Sequence, residues 1–169
     1  MGMTVVVVND HPSPHTVLDP GLAAGSPPDP HLKLVRGQDF RWQPEISPSG
    51  PVTILVSYQD QRILVLRNGK VIGRSRVEVP RDLFTGTEAL QMESADANGK
   101  PRWLYISTPG RETKHGKPLD PNIIEQVRIP QEFLANLRGV LSPGVTMMVT
   151  DDSFGVTNEG KPATVLASL

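Results

Sequence analysis

Between Val52 and Val79 the chain commits itself to a β-meander, and that commitment limits every fold that can be built around it. Val52 to Tyr58 and Ile63 to Leu66 are rich in β-branched and aliphatic residues and too short for buried helices. Gln59-Asp60-Gln61 supplies the turn between them. Asn68-Gly69 follows, a strong hairpin signal, because a type I′ turn needs positive φ at both central residues. From Lys70 to Val79 the residues alternate, with Val71, Val77 and Val79 on one face and Arg74, Arg76 and Glu78 on the other. Three antiparallel strands in series are predicted.

Further strands are predicted at Glu88 to Met92 and Trp103 to Ser107, separated by the polar turn Asp96 to Lys100. Residues 108–122 carry Pro109-Gly110, His115-Gly116 and Pro118 and read as a long loop. Pro130 then opens a helix over about 130–141, with Glu132 in its first turn. Phe133, Leu134, Leu137 and Leu141 fall on one stripe that packs on the sheet. Ser142-Pro143-Gly144 stops the helix, and Val145 to Thr150 forms a last strand.

The first 51 residues are different material. Nine prolines between positions 12 and 51 remove backbone donors and disfavour helix before each of them. Residues 1–51 are therefore expected to form an irregular arm, with short candidate strands at 3–8 and 32–35. Residues 52–169 are expected to form one β domain, and the chain of 169 residues is long enough to bury a core.

Composition narrows function mainly by exclusion. A net charge of −1 gives no basic field for nucleic acid. No apolar run is long enough for a membrane-spanning helix, and residues 1–8 lack the basic start and cleavage site of a signal peptide. Zero cysteine excludes disulfides, thiolate catalysis and cysteine-ligated metals. His11 and His15, with Asp10 and Asp19, have a metal-like spacing on a helix, but Pro12 and Pro14 forbid that helix and a polar arm is the simpler reading. Asp151-Asp152-Ser153 lacks the glycine and distal glutamate of a calcium loop, so a turn or cap is expected there. No phosphate loop, dinucleotide fingerprint or HExxH motif occurs, and no metal or cofactor is expected.

The order of these elements resembles the L,D-transpeptidase (YkuD-type) catalytic domain, which crosslinks bacterial peptidoglycan. Gln61-Arg62-Ile63-Leu64-Val65-Leu66 with Asn68-Gly69 is similar to the family's Q-R-L-x-V-Y-x-N-G run. Thr85-Gly86-Thr87 stands near the family's T-P-x-G turn, without its proline. Val127-Arg128-Ile129-Pro130 looks like the end of the active-site motif, and Pro143 to Val149 is similar to a closing G-T-x-V-x-V. The resemblance covers about residues 52–150. It implies a YkuD-like β-sandwich of antiparallel and mixed sheets, an exported or periplasmic location, and a peptidoglycan stem peptide or cell-envelope protein as partner.

The family's motif reads S-H-G-C-V/I-R. Aligned on Val127-Arg128, its first four positions fall on Ile123, Ile124, Glu125 and Gln126. A glutamine amide has no nucleophilic form, so no acyl-enzyme can be built at Gln126. Glu125 sets negative charge where an oxyanion must form. Only Arg128 survives from the motif, as a support residue or as a surface partner of Glu125 or Glu132. His115 precedes a glycine, as the family's upstream histidine often does, although Ser107 or Thr108 fits the family's spacing better.

The expected function is a non-catalytic relative that binds cell-wall peptide, glycan or a protein partner through a remodelled cleft, with Arg128, His115, Ser107, Thr108 and Gln126 as candidate contacts. Two alternatives remain open at this point. One is an enzyme using a hydroxyl of Ser107 or Thr108 through His115; the other is an assembly domain without a wall ligand. Trp42, Trp103 and Tyr105 can stack on a sugar or peptide if exposed, but Trp103 and Tyr105 share one face of a strand and packing of a half-buried strand is the simpler explanation.

Overall fold

The computed structural model describes residues 34, 38–97, 99–106 and 114–154. The protein is mostly β, as expected. Its strands are β1 (Phe40–Trp42), β2 (Val52–Ser57), β3 (Arg62–Arg67), β4 (Lys70–Arg76), β5 (Glu88–Ala95), β6 (Pro101–Ile106) and β7 (Thr146–Thr150). The described residues include the helices α1 (Pro121–Gln126) and α2 (Gln131–Arg138) and a 3-10 turn at Pro44–Ile46.

The strands pair in a single seven-stranded sheet in the order β1-β4-β3-β2-β7-β5-β6. Among the described residues one sheet forms, without the second sheet of the sandwich that the family resemblance implies. β7 is responsible: it lies parallel to β2 and antiparallel to β5, joining the meander to the β5–β6 hairpin without a break. Register shifts at Val65/Leu66 and Met92/Ser94 let the sheet bend around its core.

The meander forms as its local chemistry dictates. Gln61, Asn68 and Gly69 take φ of 52°, 51° and 73°, so Asn68-Gly69 turns with positive φ at both positions. The β4 alternation departs from expectation at one place. The shift beside Leu66 sends Val71 to the face opposite Val77 and Val79, where it packs near Leu55, Leu64 and Leu66. The last part of the run read as strand leaves the sheet, and Glu78 instead pairs with Arg128 through two backbone hydrogen bonds.

β1 lies inside the span read as an irregular arm. Three residues are too few to show alternation, yet Phe40 and Trp42 both reach the core and clasp Phe133 of α2. The Trp42 ring stands edge-on to Phe133 at 5.5 Å. Gly73 makes this possible, since a Cβ there would lie 2.5 Å from the Trp42 ring. The candidate strand at 3–8 lies outside the described residues, as does most of the one at 32–35.

The main core fills the face covered by both helices. Ile54, Val56, Ile63, Val65, Leu90, Met92, Trp103, Phe133, Leu137 and Val149 pack there. α2 is shorter than expected: Pro130 stands just before it at its cap, and Gly139 ends it ahead of Leu141. Phe133 and Leu137, one turn apart, bury the stripe. The second face carries a smaller cluster of Leu55, Leu64 and Leu66, with Val71, Met148 and Phe154 against it. No helix among the described residues is long and apolar enough to cross a membrane.

Candidate functional site

The stretch aligned with the nucleophile motif is a helix, an element not assigned there from sequence. Asp120 caps α1 by accepting a 2.9 Å hydrogen bond from the Asn122 amide, and Pro121 takes the first helical position, where its missing N–H costs nothing. The Asp-Pro pair was legible as a helix start, but it lay inside a segment read as loop.

The four motif positions have structural roles in α1. Ile123 and Ile124 are half-buried and pack on the main core. Glu125 pairs with Lys100 at 2.8 Å, both side chains well exposed. Gln126 donates to the carbonyl of Asn122 one turn back, at 3.2 Å. Arg128 is exposed, and its backbone N–H donates to Glu78 O at 3.0 Å. Glu125 has Lys100 as its salt-bridge partner, and no ion pair of Arg128 with Glu125 or Glu132 forms among the described residues. Ser107 and Thr108 lie outside the described residues.

His115 does belong to a polar site, though a different one. It sits in an exposed turn over β6, held by hydrogen bonds from Gly116 N to Tyr105 O and from Tyr105 N to Lys117 O, both 2.9 Å. Its neighbour Lys114 reaches inward and places Nζ 2.7 Å from Glu88 Oε1. Glu88 opens β5 directly opposite Val149 and is only 2% exposed. The same ammonium stands 5.1 Å from the centre of the Tyr105 ring. Burial, then the carboxylates of Glu88 and Asp120, raise the Tyr105 phenol above its ordinary value, so the hydroxyl remains a neutral donor at physiological pH.

This end of the sheet continues as a hydrogen-bonded rim. The Thr87 and Thr150 hydroxyls meet at 2.9 Å, and the Gly86 amide donates to the Tyr58 hydroxyl at 3.1 Å. Ser57 Oγ donates to Asp152 O, while Ser153 Oγ and the Phe154 amide donate to the Asp60 carboxylate. The Asp151-Asp152-Ser153 segment is thus a bend stitched to the β2–β3 turn. Glu88 was not singled out from sequence, although a signal was available: it shares the inward register of Leu90 and Met92, an acid on an apolar face. Nothing local signalled Lys114 as its partner.

The arrangement offers an amine, a phenol and a buried carboxylate in one place, which suits recognition of a polar ligand. Among the described residues no group of three histidine or acidic side chains gathers to hold a metal. Comparison of the chain with protein-family models, curated proteins and solved structures found no match.

Proposed function

We propose that this protein is a non-catalytic L,D-transpeptidase-like module that binds cell-wall peptide or glycan, or an envelope protein partner, at the surface formed by α1 and the Lys114–Tyr105 turn. The observation that carries the reading is the fate of residues 123–126. Two are isoleucines packed on the core, one is a glutamate paired with Lys100, and one is a glutamine bonded within its own helix. None of the four supplies a thiol or hydroxyl nucleophile, and the one carboxylate among them is engaged by Lys100, which favours a ligand that is bound rather than transformed. The mostly β architecture, with hairpins and a helix in the order of the resemblance, supports the same reading as an analogy of fold. Tyr105, Lys114 and the exposed Arg128 supply donors for carboxylates and amide carbonyls of a peptide ligand.

Co-sedimentation of the purified protein with isolated sacculi tests the proposal, together with NMR titration using disaccharide-peptide fragments. Retention is expected, with shifts concentrated between about residues 105 and 130. Absence of both retention and shifts removes wall binding. Crosslinking or trimming of the fragments by the protein itself overturns the non-catalytic assignment.

A further inference from the structure

Among the described residues, Arg74 holds the buried side-chain polar atom that has no hydrogen-bond partner. It lies on β4 with its side chain on the second face, directly across from Arg41 of β1 and Leu64 of β3. Arg62, two residues before Leu64 on β3, is its diagonal neighbour on that face and lies directly across from Arg76. Diagonal positions on adjacent antiparallel strands are about 7–8 Å apart, within reach of long side chains, and like charges set directly opposite repel.

Arg74 is also buried, at 6% exposure, and its Nε is shut from solvent with no hydrogen-bond partner. Buried polar groups are nearly always satisfied, and an orphaned cationic donor is costly. The acid whose field reaches it is already engaged elsewhere: the Asp60 carboxylate accepts from Ser153 Oγ at 2.8 and 3.0 Å and from the Phe154 amide at 2.6 Å. Burial first, then the field of Arg62, hold the Arg74 guanidinium down at about 10; Asp60 opposes the shift and Arg41 adds to it. A cation so placed has an unmet demand for negative charge.

We propose that Arg74 and Arg62, with Arg41 beside them, form a binding site for a phosphate-class oxyanion on the sheet face away from α1. The guanidinium fork matches phosphate oxygens, and a tetrahedral anion presents enough of them to engage two arginines on neighbouring strands at once. A monocarboxylate is planar and offers a single edge to one fork. The site is independent of the wall-binding surface, and neither depends on the other.

The test uses the full chain, purified without phosphate, in calorimetric titrations with inorganic phosphate, pyrophosphate and acetate at constant ionic strength set with chloride. Saturable binding of phosphate and tighter binding of pyrophosphate are expected. Arg74→Met is expected to weaken both at least tenfold, and Arg62→Ala similarly, while Arg138→Ala on α2 changes neither. Should Arg74→Met fail to fold, Arg62→Ala decides the matter. Absence of saturable phosphate binding, or unchanged affinity in the substituted proteins, overturns the site. Acetate binding as tightly as phosphate overturns its assignment to phosphate-class anions.

Discussion

The two faces of the sheet each hold a cation, one half-exposed and one buried, and they treat it in opposite ways. On the core face Lys114 meets a carboxylate, and its half-exposed stem leaves water to complete its shell. On the second face Arg74 is enclosed, faces other arginines, and leaves a donor unpartnered. The first is a cation doing structural service for a buried acid. The second is a cation with the field of Asp60 in its favour but no hydrogen-bond partner for its buried Nε among the described residues. What separates a structural charge from a ligand-seeking one here is the sign and availability of the neighbours together with access to water.

The core face should prove the more fragile. Phe133 is wholly buried and holds Phe40 and Trp42 against α2, so Phe133→Ala opens a cavity under two aromatic rings. A loss of about 3–5 kcal/mol is expected in urea unfolding. β1, whose few residues depend on that clasp, should lose amide protection along with it. Intact exchange protection at residues 40–42 in the variant would show that β1 is held by its pairing with β4 alone.

Lys114→Met tests the cation on the core face. It leaves the Glu88 carboxylate inside without its ammonium, and the expected cost is about 1–3 kcal/mol. The figure is below that for a fully buried pair because the lysine end is 44% exposed and water partly replaces it. Glu88→Gln, which removes the buried charge itself, should cost less than Lys114→Met. The reverse order would mean that Glu88 is held mainly by other contacts.

Arg74→Met is the matching change on the second face, and here the sign inverts. Removing a guanidinium opposed by Arg41 and flanked by Arg62 relieves repulsion and an unpartnered donor. In phosphate-free buffer stability should rise by about 0.5–1 kcal/mol. The gain should shrink with added salt as the repulsion is screened. A loss of more than 1 kcal/mol, about the size of one lost hydrogen bond, would indicate that the arginine's packed stem outweighs its misplaced charge.

The legibility of the fold followed the range of the interactions that create it. The β2–β3–β4 meander could be read because each turn lies next to the strands it joins, Asn68-Gly69 above all. The parallel pairing of β2 with β7 could not, since no local residue encodes a partner about ninety positions away. α1 was locally legible through Asp120-Pro121 and was missed because the segment was read through its resemblance to a motif. At the candidate site, Glu88 was missed although its register with Leu90 and Met92 could have marked it, whereas Lys114 could be assigned to it only in three dimensions. The arginine cluster was half visible: alternation put Arg74 and Arg76 together, but Arg41 and Arg62 join them only through strand register.

The smallest effect belongs to Asp152, at the end of β7 near the second face. Burial, then the neighbouring Asp151 carboxylate, raise its carboxyl above the ordinary 3.8, and a hydrogen bond with Thr150 partly offsets the rise. The native state therefore binds this proton more tightly than the unfolded chain does. Its contribution to stability is greatest below the unfolded value and is lost as pH rises through the native one. Above that range the ionised carboxylate is a penalty, which Asp152→Asn removes while keeping the shape of the side chain. The variant should match the parent near pH 3 and exceed it near pH 7, by less than about 0.5 kcal/mol because the group is partly solvated. Urea midpoints across that range measure the difference, and a parent more stable than the variant at pH 7 would show that the carboxylate's bond to Thr150 outweighs the burial of its charge.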